Sequence, residues 1–187
     1  MAKPILLASK SPRRKQLLDA AGFTFQTIVL DVPEDYPPNL SPEEVAPYLA
    51  RKKADGANAF LEESKVLLTA DSVVILNGKV YEKPANYDEA YLMLSDLSGK
   101  VHEVITGVCL KTPLREKVFA GYSLVHFGKL SHEEKDYYIK TYEPFDKAGS
   151  YGIQDWIGLC KVQKIEGSYS NIMGLPMELV YSEIQEM

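Results

Sequence analysis

The chain has 187 residues, of which 45% are hydrophobic and 25% charged, and its formal net charge is −5. This composition is typical of an ordinary globular protein, and the length suits one substantial domain or two small lobes that share a core. The acidic balance disfavours a general nucleic-acid binder, which usually carries a basic face, and no stretch approaches the roughly 20 apolar residues that span a bilayer.

Hydrophobic periodicity and helix caps predict strands and helices in alternation along the whole chain. We expect strands over residues 4–8 and 23–30, a hairpin around Asn77-Gly78, long strands within 101–112 and 116–130, and a strand over 158–165. We expect helices over residues 12–21, from 42 to about 60, from 86 through 97, from 131 to about 142, and a short one from 175. Several of these strands must pair antiparallel, so the sequence predicts an α/β fold with a mixed sheet.

The first predicted helix begins with an unusual distribution of charge. Ser11 is a good N-cap and Pro12 an ideal first residue, but Arg13 and Arg14 follow at once. Cations are unfavourable at a helix N-terminus, by a few tenths of a kcal/mol each. One interpretation is a well-capped surface helix whose arginines are solvated. The other is an anion site made of amides, a hydroxyl and two guanidiniums, in which bound polyphosphate makes both charges favourable.

Asp71 interrupts the apolar run "VLLTADSVVIL". A carboxylate within a central strand costs desolvation unless it has a partner. It either satisfies nearby amides at a strand end or bulge, or lies at the edge of a cleft as a general base or metal ligand.

Other polar residues carry weaker signals when each is taken alone. Glu34 lies in a proline-rich loop and offers a second carboxylate, Lys53 belongs to a cationic helical run, and Lys83 precedes a helix start. Gln154 follows two glycines in "GSYGIQ", and its amide can read a base edge. For each of them the alternative is a solvated surface side chain. The sequence has no Walker A or Gly-x-Gly-x-x-Gly motif, which disfavours the corresponding nucleotide sites.

The cysteines and histidines form no recognisable site. Cys109 and Cys160 are far apart in apolar contexts, so we expect buried free thiols. The three histidines, at positions 102, 126 and 132, share no pattern and are interpreted as structural or exposed. The N-terminal apolar run is too short for a signal peptide, which favours a cytoplasmic protein.

Taken together, the segments resemble the Maf family of nucleoside triphosphate pyrophosphatases. The stretches that carry the resemblance span nearly the whole chain in order: "LASKSPRRKQLL", "RKKAD", "TADSVV", "EKPANYDEAYLMLSDLSGKVHEVITGV", "EPFDKAGSYGIQ" and "IEGSYSNIMGLP". The resemblance implies one domain over residues 1–187, with two lobes around a central cleft, an elongated mixed sheet with flanking helices, and a relationship to inosine triphosphate pyrophosphatases. It implies Mg²⁺- or Mn²⁺-dependent hydrolysis of a nucleoside triphosphate to monophosphate and pyrophosphate, and a homodimer.

The resemblance also implies roles for individual residues. Asp71 would be general base or metal ligand, with Lys53 and Lys83 as further catalytic residues and Glu34 as a second metal ligand. Substrate binding would fall to Ser9, Arg13, Arg14, Ser72 and Gln154.

The loop "GSYGIQ" and the Asp71-Ser72 pair, where Thr usually follows Asp, point to the dTTP/UTP type. House-cleaning of modified pyrimidine nucleotides is part of this expectation. A non-catalytic nucleotide-binding regulator of cell division and septum formation, and a pyrophosphatase that prefers 7-methyl-GTP, are the alternatives.

Overall fold

The computed structural model describes residues 3–187 and contains one mixed sheet with helices along the chain between its strands. The strands are β1 (Ile5–Ala8), β2 (Phe25–Ile28), β3 (Val66–Leu76), β4 (Lys79–Tyr81), β5 (Val101–Lys111), β6 (Glu116–Phe127) and β7 (Val162–Gly167). The helices are α1 (Pro12–Ala20), α2 (Pro42–Gly56), α3 (Tyr87–Leu97), α4 (His132–Tyr142), α5 (Trp156–Lys161), α6 (Tyr169–Met173) and α7 (Met177–Ile184). The predicted α/β class is confirmed.

Hydrogen bonding orders the strands β2-β1-β3-β5-β6-β7, and β4 pairs with β3 beside this path. β1 runs parallel to both β2 and β3, whereas the β3–β4 and β6–β7 pairs are antiparallel. The sheet is therefore mixed, as the sequence predicts. No helix within residues 3–187 has the length and apolar character that a membrane span requires.

The chain divides into two compact units. The first contains the described residues up to Ser72 with Thr106–Gly121 and Gly174–Met187, and the second contains Val73–Ile105 and Tyr122–Met173. Each unit has its own apolar core. Leu7, Leu68 and Leu110 are fully buried in the first core, and Leu94 and Tyr138 in the second.

Short-range signals in the sequence predict the local structure well. Asn77 and Gly78 both have positive φ, at 52° and 76°, as a tight hairpin between β3 and β4 requires. The Asn86 side chain accepts a hydrogen bond from the Glu89 amide, which caps α3. The capping box at the start of α4 is present, because Ser131 and Glu134 each accept from the other's amide. These three predictions are confirmed.

Several predicted boundaries are wrong. The strand expected over residues 158–165 starts only at Val162, because α5 occupies Trp156–Lys161 and the amide of Gly158 bonds to the carbonyl of Asp155. The predicted strand over 23–30 is limited to Phe25–Ile28. The second helix ends at Gly56 rather than near residue 60, and a short 3₁₀ turn follows it. The last helix begins two residues later than expected and is preceded by α6, which the sequence did not indicate.

Small residues bring α2 close to the sheet in the first unit. Ala46, Ala50 and Ala54 lie one helical turn apart and are fully buried. Gly107 of β5 lies against the helix backbone, where an added Cβ would be 2.3 Å from the carbonyl carbon of Ala46. The Thr69 hydroxyl donates to the Ala50 carbonyl at 2.6 Å and so ties β3 directly to α2. This close packing fixes the next turn of α2, which carries Lys53.

Candidate functional site

Lys53 joins two acidic side chains in the first unit. Its ammonium group donates to Glu34 Oε1 at 2.7 Å and to Asp71 Oδ1 in a shorter contact. The Asp71 side chain is 11% exposed, the Lys53 side chain 17% and the Glu34 side chain 45%. The Asp71 carboxylate therefore has the partner that a buried charge needs, and three residues predicted from the sequence lie together.

A neighbouring ion pair holds the loop that carries Glu34. The Lys52 ammonium donates to both the carbonyl and the carboxylate of Asp35, at 2.8 and 2.7 Å. These bonds lower the pKa of Asp35, chiefly through the hydrogen bond from Lys52. Consecutive lysines on α2 thus bind consecutive carboxylates on the proline-rich loop, which explains how a loop residue reaches Lys53.

Arg14 donates to four acceptors in the same unit. Its Nε bonds to the Gly174 carbonyl at 2.9 Å, and Nη1 bonds to the Ala70 carbonyl at 2.8 Å. Longer bonds of 3.3 Å run from Nη1 to Ser9 Oγ and from Nη2 to Ser72 Oγ. We call these four partners, Ser9, Ala70, Ser72 and Gly174, the Arg14 network. They lie on both sides of Asp71 along β3, at the loop after β1 and just before α7.

The positive charge of Arg14 at the start of α1 is stabilised in a way that the sequence did not predict. Burial lowers the pKa of Arg14, while the negative charge of Asp71 raises it and the neighbouring Arg13 lowers it. Arginine nevertheless stays protonated under all ordinary conditions. Protein carbonyls and hydroxyls therefore stabilise this cation without any bound phosphate. The expected side-chain cap from Ser11 is absent, and the Ser11 amide instead donates to Ser9 Oγ at 3.1 Å.

Ser72 has a further partner on β5. Its hydroxyl lies 2.8 Å from the hydroxyl of Thr106, which is completely buried. The strand β3 thus carries Asp71 between two residues whose polar atoms bond to Arg14, namely the Ala70 carbonyl and the Ser72 hydroxyl. Successive side chains of a strand point to opposite faces, so Ser72 lies on one face and Asp71 on the other.

Lys83 and Gln154, the two remaining predicted site residues, belong to the second unit. Lys83 is exposed and follows β4, and the carbonyl of the preceding Glu82 accepts from the Gly149 amide at 3.1 Å. Gln154 is half-buried, and its Oε1 is a buried oxygen without a hydrogen-bond partner. An added Cβ on Gly152 would lie 2.6 Å from Asp155 Oδ2 and 3.0 Å from Gln154 Nε2, so the loop folds tightly around this glycine.

The donor set around Lys53 is compatible with a divalent cation. Glu34 and Asp71 already share one positively charged group, the Lys53 ammonium, so two hard oxygen donors converge on one cationic position. Within residues 3–187 no cluster of three or more Asp, Glu, His or Cys side chains is suited to a metal. Magnesium is typically held by one or two carboxylates, with substrate phosphates and water completing the shell. Two carboxylates therefore fit such an ion when substrate supplies the other ligands.

The histidines and cysteines follow the sequence expectation in part. His102 is buried, His126 bonds to Glu166 at 2.8 Å, and His132 is exposed and bonds to Tyr91. Cys109 is a buried free thiol as predicted, but Cys160 is exposed, so the prediction for it is wrong. Cys160 is in α5 rather than in a buried strand, which accounts for the error.

Sequence reasoning missed three members of this arrangement. Thr106 lies in an apolar strand where a lone hydroxyl gives no signal, and backbone carbonyls such as that of Ala70 have no signature in any sequence. Gly174 carries one clue: its φ of 126° is a conformation that favours glycine. The residues brought together in the first unit are Ser9, Arg14, Glu34, Lys53, Asp71 and Ser72, with Arg13 beside Arg14 on α1.

Comparison with known proteins agrees with the resemblance seen in the sequence. A family described as Maf-like protein matches residues 4–187. A "dTTP/UTP pyrophosphatase" of Porphyromonas gingivalis is 48% identical over 185 residues, which are 97% of this chain and 93% of the relative. One of the same description from Phocaeicola vulgatus is 47% identical over 98% of this chain and 95% of its own length. Among solved structures, the Staphylococcus aureus Ham1 protein aligns with a TM-score of 0.46 and 18% identity, over 67% of this chain and 72% of that one.

Proposed function

Because the chain belongs to the family of Maf-like proteins, we propose that it hydrolyses nucleoside triphosphates, dTTP and UTP above all, to the monophosphate and pyrophosphate. Relatives described as dTTP/UTP pyrophosphatases support this proposal through 48% and 47% identity over nearly the whole chain. The structural observation that carries it is the convergence of Glu34 and Asp71 on Lys53. Removal of modified pyrimidine nucleotides is part of the same proposal.

Asp71 is the residue proposed to orient or deprotonate the water that attacks the α-phosphorus. Its carboxylate is largely shielded from solvent and is oriented by the Lys53 ammonium, which binds Oδ1. A general base must lie within hydrogen-bond reach of the proton that it removes, and a fixed carboxylate satisfies this better than a mobile one.

Positive charge is the second requirement of phosphoryl transfer, which depends on alignment and charge stabilisation more than on covalent chemistry. Lys53 and Arg13 provide cationic groups in the first unit, and amides near the start of α1 add donors. We propose that Ser9, Arg13, Lys53, Lys83, Ser72 and Gln154 contact the nucleotide as the family resemblance implies; Arg14 is treated separately below.

Glu34 and Asp71 are the residues proposed to hold a divalent cation, Mg²⁺ or Mn²⁺. When bound, such an ion neutralises phosphate charge and polarises a phosphoryl oxygen. The family resemblance also leads us to propose a homodimer in the cytoplasm.

The proposal is tested with a panel of canonical and modified nucleoside triphosphates incubated with Mg²⁺ or Mn²⁺. We expect dTTP and UTP to give monophosphate and pyrophosphate, measured by chromatography and by a pyrophosphate-coupled assay. Release of inorganic phosphate instead of pyrophosphate would contradict attack at the α-phosphorus. Preferred hydrolysis of 7-methyl-GTP would favour the alternative substrate type, and nucleotide binding without any turnover would favour the regulatory alternative.

The role of Asp71 is tested by Asp71→Asn, which keeps the size of the side chain and removes its charge. We expect pyrophosphate release to fall by about 10³-fold or more while the protein stays folded. Asp19→Asn, an exposed position at the other end of α1, is the matched control and should keep wild-type turnover. Near-normal turnover by Asp71→Asn would refute this role.

A further inference from the structure

We infer that Arg14 is a positioning residue of the proposed reaction, bound to the protein rather than to substrate phosphate. The inference rests on the proposed function and adds to it, since the sequence alone places Arg13 and Arg14 together as phosphate ligands. The observation behind it is the Arg14 network, in which one guanidinium donates to Ser9, Ala70, Ser72 and Gly174.

The donor count of Arg14 argues against a phosphate-binding role. A guanidinium has five N–H groups in a rigid planar fork. Four hydrogen bonds from this fork go to protein acceptors, two of which are backbone carbonyls at 2.9 and 2.8 Å. A phosphate could bind in a bidentate way only by displacing these bonds and leaving carbonyls without a donor, which is unfavourable where the side chain is half-buried.

Arg14 supplies a hydrogen-bond donor to β3 beyond the point where the pairing of β3 with β1 ends. The parallel pairing of β1 with β3 runs from Ile5 with Val66 to Leu7 with Leu68, so Ala70 lies two residues beyond the last pair. Nη1 of Arg14 supplies a donor to the Ala70 carbonyl there. Because Asp71 is the next residue, this bond fixes the backbone from which the catalytic carboxylate projects.

The Arg14 guanidinium also determines whether the Ser9 hydroxyl donates or accepts its remaining hydrogen bond. Ser9 Oγ accepts one bond from the Ser11 amide at 3.1 Å and another from Arg14 Nη1 at 3.3 Å. A serine hydroxyl has two acceptor lone pairs and one proton, so both acceptor positions are then occupied. The remaining O–H can only donate, which is the polarity that a phosphate oxygen requires.

Ser72 is held in a comparable way from two sides. Arg14 Nη2 donates to Ser72 Oγ, and the buried Thr106 hydroxyl lies 2.8 Å from the same oxygen. The Arg14 network therefore fixes the residues before and after Asp71 together with Ser9. Loss of Arg14 should misplace catalytic groups even though no phosphate contact is lost.

The test compares Arg14→Lys with Arg13→Lys as the matched control on the adjacent residue. Lysine keeps the positive charge and can still bind phosphate as a point charge, but it cannot replace a fork that serves four acceptors. For Arg14→Lys we expect kcat for dTTP to fall by about 100-fold, because small misplacements of catalytic groups are costly. Its Kd for the α,β-methylene analogue of dTTP, measured by calorimetry, should rise by less than about threefold, because lysine keeps the charge and only the positions of Ser9 and Ser72 change.

Unfolding without nucleotide gives a readout that does not depend on activity. We expect Arg14→Lys to lower the midpoint of thermal unfolding by more than Arg13→Lys does, because the fork of Arg14 serves four protein acceptors. If the wild type hydrolyses no triphosphate, the proposed function fails, whereas the unfolding midpoints still test whether Arg14 is bonded to the protein. A lower midpoint with unchanged kcat would show a purely structural residue and overturn the inference.

A phosphate-binding Arg14 predicts the opposite pattern. Because lysine offers only a point charge where arginine offers a bidentate fork, Arg14→Lys would then weaken analogue binding by about tenfold to a hundredfold, with little effect on the free protein. That result would also overturn the inference.

Thr106→Val is the second variant in case Arg14→Lys does not fold, since it removes only the hydroxyl that holds Ser72. It should lower kcat by about tenfold and analogue affinity by much less, since misplacement of catalytic groups acts on the chemical step, and an unchanged kcat would contradict the positioning role.

Discussion

His102 should make the stability of this protein depend on pH well below neutrality. The ring is 1% exposed, and its Nε2 lies 2.7 Å from the Tyr151 hydroxyl. The rings of Phe127 and Tyr151 pack edge-on against it at centroid distances of 5.0 and 5.4 Å. Burial, with a smaller contribution from the charge of nearby His126, lowers the pKa of His102 to about 4.

The size of the effect follows from the two pKa values of His102. An exposed histidine has a pKa of about 6.5, so between pH 6.5 and 4 the unfolded chain binds a proton that the folded protein does not. Stability is therefore fully present above pH 6.5 and falls as the pH falls, by about 1.4 kcal/mol for each pH unit. At pH 5 this linkage removes about 2 kcal/mol, and below pH 4 about 3 kcal/mol in all.

The assay is urea unfolding of the wild type and of His102→Gln at pH 7.5 and pH 5. The variant loses stability at both values because it buries an amide, so the quantity to compare is the change between the two pH values. We expect this change to be about 2 kcal/mol smaller in His102→Gln than in the wild type. His132→Gln, at an exposed histidine, is the control and should follow the wild type. Equal changes in wild type and His102→Gln would refute the reasoning.

Three further substitutions test the packing and capping described above. Gly107→Ala places a Cβ 2.3 Å from the backbone of α2, so we expect a loss of about 3 kcal/mol in thermal unfolding, and a wild-type midpoint would contradict this packing. Asn86→Ala removes the cap of α3 and should cost about 1 kcal/mol in chemical denaturation, with Asn86→Asp restoring most of it. Tyr138→Phe removes a hydroxyl that donates to Asp155 at 2.7 Å and accepts from the Gly152 amide at 3.0 Å. It should lower the free energy of unfolding by about 1–3 kcal/mol, and an unchanged value would show that water replaces both bonds.

The elements that the sequence predicts correctly are those whose signal is contained in a few neighbouring residues. Asn77-Gly78 makes a tight turn because both residues tolerate positive φ, and the cap at Asn86 needs only the amide three residues later. The strand expected over residues 158–165 fails because an apolar run of this length suits a strand and a short helix equally. In the structure the first part of this run forms α5, and Gly158 lies so close to the carbonyl of Ile153 that an added Cβ would be 1.8 Å away.

At the candidate site, too, the sequence indicates features that depend on neighbouring residues but not contacts between distant ones. A carboxylate inside an apolar strand indicates that Asp71 needs a partner, but the partner itself, Lys53, lies 18 positions earlier in a cationic run. Nothing in that run distinguishes Lys53 from its neighbours. The distinction arises because Thr69 binds the Ala50 carbonyl and so sets the rotation of α2 against β3. Recognition of the family identified Lys53, whereas the residues alone predicted a solvated surface.

Adjacent arginines at a helix start look alike in a sequence, and the fold makes them different. The dipole argument predicts that both are unfavourable until an anion arrives. For Arg14 the fold supplies partners that this argument does not include, because Ala70 and Gly174 provide carbonyl oxygens 56 and 160 positions away in the chain. Because Arg14 is half-buried and bonded to these acceptors, we expect it to stabilise the protein without nucleotide. Any electrostatic repulsion that a bound triphosphate relieves must therefore come from other groups. Arg13 stays a proposed nucleotide-binding residue, and we expect it to contribute to nucleotide affinity where Arg14 contributes to geometry.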